Sequence, residues 1–256
     1  MQRQLVEARQ RVLGPEHPAT QNSMAVLISR LAKLKWHEDA VHMAQQLLAA
    51  RQRMPGPDDP KTLDSMALLS DRLADSGQRE AAADMTRQVV EARQRVLGPE
   101  HPDTLATTNN LSNRLAALGQ HEAATDMVRQ TLEAQQRVLG PEHPNTLRSM
   151  NNLSNRLAEL GQHKAAVDMA RQALEARQRA LGPDHPETLE SMANFSRCLA
   201  KAKQQDAAVD MARQAMEARQ RVLGPENPDT LDSMFNLSRR LAEQGQHKAA
   251  VDMARH

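Results

Sequence analysis

Apolar positions in this chain recur at intervals of three and four, and the pattern restarts every 42 residues. Between Pro102 and Gly119 the stripe runs Leu105, Thr108, Leu111, Leu115 and Leu118, one face of a helix. A second run, Ala124, Met127, Val128, Leu132, Val138 and Leu139, lies along one side of a second helix that stops at Gly140-Pro141. The pattern predicts helices of about 17 and 19 residues, roughly 25–29 Å long. Only a couple of residues join them, so they must lie antiparallel. Neither helix can bury its stripe alone, and stability requires neighbours stacked on both sides.

The stretch Leu97-Gly98-Pro99-Glu100-His101-Pro102-Asp103-Thr104-Leu105 punctuates each period, with copies beginning at Leu13, Pro55, Leu97, Leu139, Leu181 and Leu223. Gly98 is expected to close one helix in the left-handed conformation, and Pro99 prevents its continuation. Pro102 presets the first turn of the next helix, with His101 as its cap; Asp59 and Asn227 hold that position in two copies and are stronger caps. Residues 1–256 thus read as a single array: 1–13 a partial second helix, repeats 14–55, 56–97, 98–139, 140–181 and 182–223, and 224–256 a partial last repeat. Met1 falls in register with Met43 and Met85, and the sequence stops at His256 partway along another second helix. The expectation is a fragment of a longer array in a multidomain protein, or a start at an internal methionine; alternatively the half-helices pair between molecules.

Other ladders refine the packing. Ala40, Ala82, Ala124, Ala166, Ala208 and Ala250 share one register and should let backbones approach closely. Met24, Met66, Met150, Met192 and Met234, with Met43, Met85, Met127, Met169, Met211 and Met253, are expected to fill the core rather than form a soft-metal or binding stripe. Pairs such as Glu91/Arg95 and Glu175/Arg179 have the favoured helical spacing of four on an outer surface. Gly77, Gly119, Gly161 and Gly245 stop the first helices, whereas Lys35 and Lys203 stand there in two repeats. Fraying is expected near 54–60 or 201–206, or at the bare ends.

Charge and composition narrow the function. Lys+Arg 33 against Asp+Glu 32 leaves a net charge of +1, too weak a field to recruit nucleic acid or a membrane surface. One cysteine excludes an internal disulfide framework, and the N-terminus lacks an apolar signal core, so a soluble, cytoplasmic chain is expected. The ten histidines fall mostly into ladders whose members sit a whole repeat apart, too far to share a metal. His37 and His42 are one residue too widely spaced for the zinc-protease helix motif, and no phosphate loop or nucleophile signature is present. Neither catalytic residues nor a cofactor nor a metal site is predicted, and enzyme activity is not expected.

The pattern Gly-Pro-Glu-His-Pro-Asp-Thr-Leu, followed by Asn-Asn-Leu-Ser at 151–154, Gly161 and Ala166, resembles the tetratricopeptide repeat, in the 42-residue variety of kinesin light chains. The resemblance covers essentially the whole chain. It implies an all-α, right-handed superhelical solenoid of antiparallel helix pairs, six repeats with truncated terminal helices. It also implies a concave groove, lined by the first helices, that holds an extended peptide or partner helix. The family usually has Leu-Tyr where this chain has Arg114-Leu115, and aromatics at Met127 and Val128.

On the first helices, Asn109, Asn110 and Asn113 lie opposite the leucine stripe, with counterparts Arg148, Asn151, Asn152 and Asn155, then Asn194 and Arg197, then Asn236 and Arg239. An amide donates and accepts at once, so it can pair with both groups of a peptide bond. The alternative is that Asn110, Asn152, Asn194 and Asn236 bond neighbouring loops or helix ends. The carboxylate clamp of some relatives is discounted, because only Asn113 and Asn152 match it and Glu190 has the wrong sign; Arg148, Arg197 and Arg239 could still favour acidic side chains. A further stripe, Arg30, Arg72, Arg114, Arg156 and Arg240, is interrupted by Cys198 and reads as snorkelling cations beside an inert, half-buried thiol. The leading expectation is a non-catalytic scaffold with a protein or peptide partner. A structural spacer or an array that self-associates end to end is the alternative, and RNA binding is disfavoured by charge and by the 1 % aromatic content.

Overall fold

The computed structural model describes residues 2–54 and 56–254; the junction residue Pro55, the ladder position Met1 and the terminal His256 lie outside the described residues. Thirteen helices follow one another among the described residues, with no strand. Contacts divide the chain into two compact units, Met1–Ala124 and Thr125–His256. The first contains α1 (Gln2–Leu13), α2 (Pro18–Lys33), α3 (His37–Arg53), α4 (Pro60–Asp75), α5 (Arg79–Leu97) and α6 (Pro102–Ala117). α7 (His121–Val138) starts at the division. The second unit then holds α8 (Pro144–Glu159), α9 (His163–Leu181), α10 (Pro186–Lys201), α11 (Gln205–Leu223), α12 (Pro228–Glu243) and α13 (His247–Ala254). Within each unit consecutive helices pack on one another, and in the second α8 also touches α10 and α10 touches α12.

The first helices start as their sequence dictates. Proline occupies the first turn of α2, α4, α6, α8, α10 and α12. The preceding side chain accepts the N–H two residues on: His101 Nδ1 from Asp103 at 3.2 Å, Asp59 Oδ1 from Lys61 at 2.8 Å, Asn227 Oδ1 from Asp229 at 2.9 Å. Their ends are closed by a left-handed residue, as at Gly161 with φ 75°. Lys35 (φ 59°) and Lys203 (φ 61°) adopt the same conformation without the freedom of glycine. That strain makes Lys203→Gly an expected gain of about 1 kcal/mol, read as a raised urea midpoint.

The second helices end differently from the expectation. Gly98 sits at φ 97°, ψ 158°, and Gly182 and Gly224 close by it. This lies outside the left-handed helical well, in a region that only glycine occupies readily. The chain must straighten there, because Pro99 immediately demands an extended predecessor.

The core is made of the predicted ladders. Ala40, Ala82, Ala124, Ala166 and Ala208 are wholly buried, and Leu63, Leu105, Leu147 and Leu189 are buried in one register. Met24, Met150 and Met192 fill the core, while Met43, Met85, Met169, Met211 and Met253 pack partly buried against it. The outer charges pair otherwise than expected. Instead of the helical neighbours Glu91 and Glu175, Arg95 reaches Asp58 and Arg179 reaches Glu142 at 3.2 Å, acids of an earlier junction. In each case the acid lies 37 residues earlier in the sequence and is brought alongside by the packing of neighbouring helices.

A feature not foreseen from periodicity ties the second helices α1, α3, α5, α9 and α11 to the first helix that follows each. Arg51 Nη1 donates to Lys61 O at 2.7 Å and Ser65 Oγ at 2.8 Å. Arg9, Arg93, Arg177 and Arg219 repeat the same double contact with the following first helix. The rung is missing at Gln135, which is wholly buried with both amide atoms unpartnered, as is Ser149 Oγ.

Candidate site on the first helices of the second unit

Eight of the eleven predicted groove residues line one cavity of about 200 Å³ in the second unit. α8 contributes Arg148, Asn151, Asn152 and Asn155; α10 contributes Glu190, Asn194 and Arg197; α12 contributes Asn236, Arg239 and Arg240. The floor comes from second helices, through Arg177 of α9 and Ala212 and Ala215 of α11. Ala212 and Ala215 bring only a methyl each to this floor, where other repeats carry Val128 or Leu47, and that leaves the hollow unfilled. At ~30 Å³ per water, the space suits a side chain and not a length of peptide backbone.

The asparagines do not all play one part. Asn151 is 7 % exposed and Asn194 5 %. Asn151 Nδ2 donates to Ser191 Oγ at 2.8 Å, and Asn194 Nδ2 donates to Ser154 Oγ at 2.7 Å. Both amides therefore join α8 to α10, between helices rather than to loops or helix ends. Asn155 and Asn236 are half-buried on the rim. Their oxygens accept from arginine, Asn155 Oδ1 from Arg197 at 2.7 Å and Asn236 Oδ1 from Arg239 at 3.3 Å. With the oxygens committed, each Nδ2 is left without a hydrogen-bond partner among the described residues. On α6, in the first unit, Asn109 is wholly buried, Asn110 exposed and Asn113 half-buried.

Arginine dominates the electrostatics. Arg177 is 2 % exposed, held by Glu187 O at 2.7 Å and Ser191 Oγ at 2.9 Å, with the Glu190 carboxylate at 3.5 Å. Burial lowers its pKa, the carboxylates Glu190 and Glu187 oppose this, and Arg148 adds to the lowering. Arg240 is also lowered, by burial first and by Arg239 and Arg197, against its partner Glu243 at 2.5 Å. Arg197 donates to Asn155 Oδ1 and to Asn194 Oδ1 at 2.6 Å. Neutral amides thus orient this guanidinium without cancelling its charge. Cys198 is wholly buried rather than half-buried, and burial raises its pKa, so its thiol is the poor nucleophile the sequence suggested. The stripe of Arg72, Arg114 and Arg156 reaches Asp75, Asp71 and Glu159 at 3.2, 2.7 and 2.7 Å, snorkelling contacts of the expected kind.

Sequence reasoning missed Arg177, Ser191 and Arg240 as parts of this site. Arg177 was legible in principle, since Arg9, Arg51, Arg93 and Arg219 share its register. Among the described residues no helix is long and apolar enough to cross a membrane, and no three His, Cys, Asp or Glu side chains converge.

A family model described as tetratricopeptide repeat matches residues 87–136, 115–179, 157–221 and 213–256, and a second model of the same description matches 62–103. No curated protein matches the chain in sequence. Among solved structures, a putative kinesin light chain from Podosopora anserina with nearly identical TPR-like repeats is 26 % identical, over 81 % of this chain and 98 % of that one, with a TM-score of 0.69. A second crystal structure with the same description is 26 % identical over 80 % and 97 %, with a TM-score of 0.66. BtubC (BKLC) from P. vanneervenii is similar in fold, with 21 % identity over 86 % and 89 % and a TM-score of 0.71.

Proposed function

The chain belongs to the tetratricopeptide repeat family, whose members are in general protein-interaction scaffolds, and on that premise we propose that it takes an extended peptide across the first helices of its second unit. The observation that carries this reading is the pair of rim amides. Asn155 and Asn236 have their oxygens held by Arg197 and Arg239, and their Nδ2 groups make no hydrogen bond among the described residues. First helices that touch lie about 10 Å apart, so α8 to α12 spans about 20 Å, the length of roughly six residues of extended strand. Such a ligand would offer a carbonyl to each rim amide and drop one side chain into the cavity between them. The role is non-catalytic and cytoplasmic, without cofactor or metal. Asn109, Asn110 and Asn113 of α6 would offer a similar polar face within the first unit.

Asn155→Ala with Asn236→Ala tests it. Loss of two amide donors should weaken capture of peptides selected from a random library by about tenfold or more, at about 1 kcal/mol per neutral hydrogen bond, with the helical signal unchanged. Undiminished capture would remove the groove assignment. One observation favours the self-associating alternative: Leu231 and Phe235 of α12 are 45 % and 68 % exposed, one turn apart. Sedimentation that stays monomeric across a concentration series would count against that alternative.

A further inference from the structure

The internal repeat serves as its own control for which side chains stacking requires. In the register of Arg197 and Arg239 the other repeats carry Ser29, Asp71, Asn113 and Asn155. In the register of Arg148 they carry Asn22, Asp64, Ala106, Glu190 and Asp232. The same helix packs with any of these, so the fold does not call for arginine at 148, 197 or 239. The three nonetheless converge on one cavity, one from each of α8, α10 and α12. The buried rung responds to them. By the register of Arg177 and Glu190, which lie 3.5 Å apart, an arginine at 135 would face Arg148, and there the chain has Gln135 instead.

The cations of the cavity are of two kinds. Arg177 and Arg240 are answered by carboxylates, Glu187 and Glu190 for one and Glu243 for the other. Arg197 is held only by amide oxygens and Arg239 by one, while Arg148 has neither hydrogen bond nor ion pair among the described residues. Three uncompensated guanidinium groups therefore ring a space of about 200 Å³ in a chain whose net charge is +1. A carboxylate brings one charge and two oxygens, and would leave two of the three cations facing each other. A phosphate monoester brings −1.5 to −2 charges at neutral pH and three terminal oxygens, one for each guanidinium, in the geometry that arginine favours.

We propose that this cavity is a phosphate-monoester site, and that in the complex of the preceding section it receives a phosphorylated side chain of the bound peptide. The second half of the proposal rests on the peptide reading; the first does not. Arg197 is the preorganised member, since Asn155 and Asn194 fix its plane before a ligand arrives. Arg148 and Arg239 close from either side.

The test uses the full 256-residue chain at fixed ionic strength. The probes are inorganic phosphate, acetate, and three peptide libraries with random flanks and a central phosphoserine, glutamate or serine. Phosphate is expected to bind at least about tenfold more tightly than acetate, and the phosphoserine library to be retained at least about tenfold over the other two. Arg148→Gln with Arg239→Gln should abolish both preferences. Arg171→Gln, whose partner is Asp168 on its own helix α9, should change neither. If the double variant loses its helical signal, Arg148→Gln alone carries the test, because Arg148 makes no hydrogen bond or ion pair among the described residues that folding would miss. Equal binding of phosphate and acetate, or phosphate binding that survives the substitutions, overturns the site. Phosphate preference without retention of any library supports the site and overturns the peptide reading. Equal retention of all three libraries overturns the phosphate class and leaves the peptide reading standing.

Discussion

Arg177→Ala is expected to destabilise the second unit by about 2–4 kcal/mol, visible as a lowered urea midpoint with an unchanged slope. The side chain is 2 % exposed and gives one nitrogen to two acceptors, Glu187 O and Ser191 Oγ. Truncation strips a charged donor from both and opens a void where its stem packs. The carboxylates Glu187 and Glu190 are themselves largely in water, 44 % and 69 % exposed, so losing their partner adds little. The damage should not stay local. Ser191 also accepts from Asn151, Asn194 reaches Asn151 and Ser154, and Arg197 is held by Asn194. Amide exchange should therefore quicken through α10 as well as at the end of α9. Arg177→Met, which restores the stem without the donors, should recover part of the loss; full recovery would mean that packing and not hydrogen bonding fixes this junction.

Leu147→Ala should cost about 2–5 kcal/mol, whereas Leu231→Ala should cost under about 1 kcal/mol. The two leucines occupy one register of the repeat, follow the same Pro-x-Thr sequence and lie at the same point of α8 and α12. They differ in surroundings: Leu147 is wholly buried in the cluster around Ala166 and Ala170, and Leu231 is 45 % exposed. Helix propensity and local sequence are thereby held constant, and the difference reads tertiary burial alone. Equal losses would show that the leucine ladder acts through the helix itself rather than through stacking.

Most of the fold was legible because it is repetitive. A residue that recurs six times in register, such as the alanine at 40, 82, 124, 166, 208 and 250, announces a contact that every repeat makes. The helix starts were legible for the same reason, since proline behind a capping side chain has one sensible geometry. The helix ends were harder: φ can be inferred from glycine, but ψ at Gly98 depends on the proline that follows it. Side-chain partners were hardest. Arg95 lies one turn from Glu91 in sequence, and nothing in the sequence shows that Asp58 is nearer. In the candidate site, periodicity picked out the polar face of the first helices, and the cavity gathers its members from Arg148 to Arg239. It could not separate the amides that knit α8 to α10, Asn151 and Asn194, from those on the rim, Asn155 and Asn236. That distinction depends on which way each helix is turned and on serines 40 residues away.

The most direct measurement is hydrogen exchange by mass spectrometry on the full chain, with and without a peptide selected from a random library. Added protection should fall on the segments of α8, α10 and α12 that carry Arg148, Asn155, Arg197, Asn236 and Arg239, with the outer turns of α9 and α11 unchanged. Protection confined to the second helices, with the first helices exchanging as in the free chain, would contradict the placement of the binding face.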